Sequence, residues 1–244
     1  MRVPRAETDA LFPAVRRLTA ELAALPGALD EGLGVEGLLE EREALCLYGL
    51  ARRAAPLGAA VEIGSYKGRS TWFLARGLAD AGGAWPVVAF DPHLEGTQEA
   101  FHANLRRTGV DGLVEAHAAF SHDAAPAFDR PIGLLWIDGD HTYAGVRRDF
   151  EDWFPKLAVG GWLAFHDTVN HWHGPTRLVR ELLAGRSDLA EVGVMGTITF
   201  ARKRAPSAAN RVAALAGRAA FEAVTLLRAR SMGLGPVNAA AGER

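Results

Sequence analysis

Cysteine is nearly missing from this chain. Only Cys46 is present, so no internal disulfide can form, and its apolar helical surroundings mark it as a buried thiol rather than a nucleophile. That usage fits a reducing compartment, and a cytoplasmic location is expected. No apolar run approaches the 18 or so residues that span a bilayer, and the opening MRVPRAETDALFPAV lacks the unbroken apolar stretch of a secretory signal. Charge of one sign is lacking as well. Lys and Arg number 27 against 29 Asp and Glu, a formal net charge of −2, so no basic field gathers nucleic acid or an anionic membrane. A small molecule is the expected partner. Two patterns are also missing: after the first apolar run Gly64 and Gly68 do not form the G-x-G-x-x-G that packs a pyrophosphate on a helix, and no cysteine-containing zinc spacing surrounds His166, His171 and His173.

The chain has 244 residues, 49% hydrophobic and 23% charged, which is enough for one large α/β core with short extensions. From Glu7 to Ala55 leucines recur at helical spacing, interrupted at Pro26-Gly27 and around Leu33, so two or three helices are expected ahead of the core. From residue 59 short apolar runs alternate with amphipathic ones: AAVEIG, PVVAFD, LVEAHA, IGLLWID and WLAFH, each followed by a helical pattern except the last. This alternation predicts βαβ units in a doubly wound, Rossmann-like sheet that is mostly parallel. The helix after His141 is expected to run to Leu157 and to stop at Gly160-Gly161. EVGVMGTITFA reads as a hairpin joined at Met195-Gly196, which places one antiparallel strand in the sheet. The expected organisation is a helical cap over 1–57, the sheet domain over 58–203 and a helical extension over 204–244. On that extension Val212, Leu215, Leu226 and Leu227 share a helix; docking on its own domain is favoured over a contact between two copies, and the last residues are expected to fray.

The first strand ends in Val61-Glu62-Ile63-Gly64-Ser65-Tyr66-Lys67-Gly68-Arg69-Ser70, followed by a helix. Glycines there let a ligand approach the backbone, and the helix start offers free N–H groups. Asp91 ends the second strand, 27 positions after Gly64, where a carboxylate can accept hydrogen bonds from both ribose hydroxyls of an adenosine ligand. The fourth strand ends Asp138-Gly139-Asp140-His141 and the fifth ends His166-Asp167. Adjacent carboxyl ends share one crevice in a doubly wound sheet, so these acids and histidines are expected to converge beside the ligand.

The segment VEIGSYKGRSTWFLA resembles the first motif of class I S-adenosylmethionine-dependent methyltransferases, especially the small-molecule O-methyltransferases that include catechol O-methyltransferase and the antibiotic-sugar enzymes. The resemblance covers about Leu38 to Lys203. It implies that Gly64, Ser65, Tyr66, Gly68 and Ser70 line the methionine end of the cofactor, that Glu62 steadies the loop, that Asp91 holds the ribose, and that Ser121, in AAFSHDAAPAF, lies beside the adenine. It further implies a methyl acceptor that is a hydroxylated small molecule, such as a sugar or natural-product intermediate, and Asp138, His166 and Asp167 as ligands of a divalent cation, with His141 as general base beside Asp138. The chain departs from the family at His166, because a hard cation such as Mg²⁺ prefers oxygen donors. Either an ion tolerant of imidazole, such as Mn²⁺, is used, or the metal is lost and histidine serves alone. Trp172, in the loop Thr168 to Arg177, is placed to stack on an acceptor ring. Two further readings stand beside this one, an NAD-dependent Rossmann oxidoreductase and a methyltransferase-like binding module without activity. A homo-oligomer remains open.

Overall fold

The computed structural model describes residues 7–25, 29–169 and 173–231. Trp172 and the 232–244 tail therefore lie outside the described residues, as do Asn170 and His171. The helical cap consists of α1 (Pro13–Ala23), α2 (Asp30–Leu33) and α3 (Glu41–Ala54). The core follows as β1 (Ala59–Ile63), α4 (Arg69–Asp80), β2 (Val87–Phe90), α5 (Gln98–Arg107), β3 (Val114–His117), α6 (Ser121–Ala124), β4 (Ile132–Ile137), α7 (Tyr143–Trp153), β5 (Leu157–Phe165) and α8 (His173–Gly185). Two strands, β6 (Leu189–Met195) and β7 (Ile198–Lys203), and a long helix α9 (Ala208–Ser231) complete it.

The strands form one seven-stranded sheet in the order β3-β2-β1-β4-β5-β7-β6. Pairs β3 to β5 are parallel, and β7 alone runs against β5 and β6. The expected Rossmann-like sheet with an antiparallel last strand is thus what the chain adopts. Strands β1, β2 and β4 are buried on both faces, which is why their sequences read as unbroken apolar runs. The chain starts at β1 and reverses direction of growth between β1 and β4, and this switch point opens a crevice at the carboxyl ends of those two strands.

Two local expectations are corrected. Helix α7 ends at Trp153, well short of Leu157, because Pro155 has no N–H to extend the ladder; Phe154–Lys156 forms a tight 3₁₀ turn instead. Gly160 and Gly161 lie inside β5, at an irregularity in its register with β4. A side chain on Gly161 would meet the Gly133 carbonyl at 2.9 Å, so the two strands need glycine to approach there. On the C-terminal extension, α9 docks on β6 and α8 through Ala214, Phe221 and Val224, while Val212, Leu215, Leu226 and Leu227 face outward. Cys46 is fully buried on α3, as expected, and burial pushes its thiol pKa well up. No helix among the described residues is long and apolar enough to cross a membrane.

Candidate active site

At the carboxyl ends of β1, β2 and β4 lies a cleft of about 680 Å³. Its walls include Gly64 to Lys67, Asp91, Ser121, Asp138, His141, His166 and Asp167, so the two clusters read from the sequence face one space. Gly64 and Gly68 take φ of +85° and +92°, left-handed values that glycine adopts without cost. A Cβ on Gly64 would stand 2.2 Å from the Asp138 carbonyl oxygen. The glycine loop and the acid at the end of β4 are therefore in direct backbone contact, reinforced by the Asp138 N–H donating to the Ile63 carbonyl at 2.8 Å.

Asp91 organises the loop. Its Oδ2 accepts the N–H groups of Ser65 (2.9 Å) and Tyr66 (2.7 Å), and its Oδ1 accepts the N–H of His93 at 2.7 Å. Tyr66, His93 and Asp167 are three of the four non-glycine residues with positive φ among the described residues, and all three line the cleft. Backbone strain of this kind persists only where the surroundings over-determine it, and it collects at ligand sites. Glu62 is fully buried beneath the loop, bonded by the Ser70 and Thr71 hydroxyls; burial raises its pKa to about 8 in spite of them. Its Oε1 has no hydrogen-bond partner among the described residues. Ser121, at the start of α6, donates to Asp149 Oδ1 at 2.5 Å, and burial raises that carboxyl's pKa to about 6.

Another part of the cleft wall is a ring of alternating acids and histidines. His166 Nδ1 lies 3.1 Å from Asp138 Oδ1 and 3.6 Å from Asp167 Oδ2. His141 Nε2 lies 3.1 Å from Asp167 Oδ2 and 3.6 Å from Asp138 Oδ1. Hydrogen bonds that His141 donates to Asp138 and Asp167 raise its pKa to about 9. For His166, burial acts to lower the pKa, but Asp138 and Glu43 outweigh it and carry it to about 11. Asp138, His141 and Asp167 each present a ligand atom within 4.8 Å of the others. Separations of this size suit donors around one divalent ion, and the mixed carboxylate and imidazole set fits Mn²⁺ or Fe²⁺ better than Mg²⁺. Asp140 does not join the ring. It accepts from the Thr142 N–H and hydroxyl at 2.8 and 2.9 Å and so shapes the start of α7.

Residues 61–168 match a family model described as a methyltransferase domain. In architecture the chain is similar to the O-methyltransferase TomG from Streptomyces achromogenes, a structure in complex with SAM, at 22% identity and a TM-score of 0.55, covering 84% of this chain and 93% of that one. The fold is that of a Rossmann-like methyltransferase. A methyltransferase from Geobacter sulfurreducens aligns similarly, at 20% identity and a TM-score of 0.58 over 78% of this chain and 96% of that one. Among curated proteins, the uncharacterised y4gI of Sinorhizobium fredii is 29% identical over 122 residues, which are 47% of this chain and only 13% of y4gI.

Within this methyltransferase fold two buried acids that touch residues of the site were not singled out from the sequence. Asp149 sits among the apolar Val146, Phe150 and Trp153 of α7 and backs Ser121. Glu43 is an acid on the buried face of α3, reaching His166 from the cap. In both cases the readable signal was a carboxylate at a helical position whose neighbours are apolar.

Proposed function

We propose that the chain is an S-adenosylmethionine-dependent O-methyltransferase that acts on a hydroxyl of a small molecule, with a divalent cation assisting. The observation that carries this reading is that the glycine loop with Asp91 and the ring of Asp138, His141, His166 and Asp167 line a single cleft. One half suits an adenosine cofactor and the other suits activation of an oxygen nucleophile. The SAM complex of the similarly folded TomG supports the cofactor assignment.

In this mechanism Asp91, held in place by three backbone N–H groups, accepts from the ribose. The Ser121 and Asp149 pair faces the adenine side. Gly64 to Ser70 surrounds the methionine end above the buried Glu62. A cation held by Asp138, His166 and Asp167 would supply a Lewis acid for the acceptor oxygen and would offset the carboxylates that keep His141 protonated. Bound S-adenosylmethionine would supply a sulfonium methyl group for transfer to the acceptor oxygen, and His141 would take the hydroxyl proton.

Titration calorimetry with S-adenosylmethionine and with NAD tests the cofactor, and methyl transfer to a panel of sugars and phenols with Mn²⁺ tests the reaction. Binding of NAD in place of S-adenosylmethionine overturns the reading. Cofactor binding with no transfer to any hydroxyl leaves only a binding module.

A further inference from the structure

We propose that Glu43 is a positioning residue of the reaction centre: from the helical cap it takes the Nε2–H of His166 and thereby presents Nδ1 of that ring to Asp138 and Asp167. The inference rests on the reading above that a cation is held in this ring.

Glu43 is 1% exposed and belongs to α3, far in sequence from the strand ends that build the cleft. Both of its oxygens are engaged. Oε1 accepts the N–H of Thr197 at 2.6 Å and its hydroxyl at 2.8 Å. Oε2 accepts the Glu40 N–H at 2.9 Å and faces His166 Nε2 at 3.4 Å. The Thr197 and Glu40 bonds hold the carboxylate on the β6–β7 turn and the start of α3, so it cannot swing away from the ring. The turn is shaped around it: a Cβ on Gly196 would lie 2.4 Å from Glu43 Cγ and 2.5 Å from Oε1.

An ionised carboxylate only accepts, so the nitrogen facing Glu43 must carry the hydrogen. Of the two imidazole nitrogens, the one left open is set by the bond that the other makes. With a cation in the ring, Nδ1, the nitrogen beside Asp138 Oδ1 and Asp167 Oδ2, gives up its hydrogen to become the open one, while Nε2 keeps the hydrogen directed at Glu43. The Trp136 ring, 5.5 Å away and tilted by 53°, limits rotation of the imidazole from the side. Glu43 thus assigns the tautomer and aim of a donor that it does not share with any ligand.

The test is Mn²⁺ binding to the full chain, stripped of metal and without acceptor, followed by electron paramagnetic resonance. Glu43→Gln and Glu43→Asp are compared with wild type and with Thr197→Val, which loses one bond to Oε1 but keeps the carboxylate against His166. Loss of an outer-sphere partner of a metal-bound histidine weakens metal binding by about 10–100-fold, and that loss is expected in both Glu43 variants. S-adenosylmethionine affinity should stay within about twofold, because no Glu43 contact reaches the cofactor loop. Thr197→Val should melt earlier yet bind Mn²⁺ nearly as wild type does. The proposal is overturned if either folded Glu43 variant binds Mn²⁺ as wild type does, or if Thr197→Val weakens binding equally. Should Glu43→Gln not fold, the charge-retaining Glu43→Asp decides. If wild type binds S-adenosylmethionine but no Mn²⁺, the cation reading and this inference fall together while methyl transfer stands.

Discussion

Exchanging Asp91 for asparagine separates what the carboxylate does for the loop from what it does for a ligand. The carboxylate receives two backbone N–H groups on Oδ2 and one on Oδ1. An asparagine can accept on one side only, so its amide nitrogen must face either the Ser65 and Tyr66 donors or the His93 donor. Leaving a partly buried donor unpaired costs about 1–3 kcal/mol, a loss that urea unfolding of the cofactor-free protein will read. The same change removes the negative acceptor for the ribose. Hydrogen bonds to a charged group contribute about 1.5–3 kcal/mol, so S-adenosylmethionine affinity should fall by roughly 10–150-fold in calorimetry. Affinity within twofold of wild type, in a variant that has lost stability as expected, would refute the ribose assignment and leave Asp91 a loop-organising acid.

Chelation with EDTA should abolish methyl transfer and spare cofactor binding, Mn²⁺ should restore it, and Asp167→Ala should resist that rescue; turnover that survives chelation but vanishes in His141→Ala would assign proton removal to histidine alone. Raised histidine pKa values, about 9 for His141 and about 11 for His166, contribute stability that is complete below the unfolded value near 6.5 and is lost as pH rises toward the folded values. Urea midpoints of the metal-free protein should therefore decline from pH 6.5 to 9, more steeply in wild type than in His141→Ala, and equal slopes would contradict the ring of charges. Glu62, raised to about 8, behaves in the opposite sense to an ordinary paired acid: its contribution is lost between pH 4.5 and 8, so Glu62→Gln should gain on wild type across that range in thermal melts. Gly64→Ala, which forces a Cβ against the Asp138 carbonyl at a left-handed φ, should lower stability by about 2 kcal/mol or more and weaken cofactor and Mn²⁺ binding together, the second by calorimetry.

Much of the sheet was readable because buried parallel strands leave unbroken apolar runs, as AAVEI and IGLLWI do, and because Gly64 and Asp91 sit where such strands end. The convergence of Asp138, His141, His166 and Asp167 followed from strand-end geometry alone. Glycine proved ambiguous: the pair at 160 and 161 reads as a helix stop, yet it serves close packing between β4 and β5, and Pro155 is what ends α7. Hydrophobicity on α9 misdirected attention to four leucine and valine positions that face outward, since a helix lying on a sheet edge buries a narrow stripe of Ala214, Phe221 and Val224. Asp140 and His141 are adjacent and equally polar, and only coordinates separate the capping acid from the ring histidine. The burial of Glu43 was readable from its helical position, but its role was not, because its partners Thr197 and His166 are distant in sequence and no local pattern joins them.

The turn at Gly196 and Thr197 gives the chain a definite order of completion during synthesis. Strands β1, β2, β4 and β5, with every residue of the acid and histidine ring, leave the ribosome before this turn does. Until it arrives, Glu43 lacks the two bonds donated by Thr197, and a hydrogen bond to a charged group contributes about 1.5–3 kcal/mol. A nascent chain that stops short of residue 196 would therefore already pack α3 on α4 while leaving the Glu43 carboxylate without two of its donors. The last hairpin completes the hold on Glu43, and with it the link from α3 to His166.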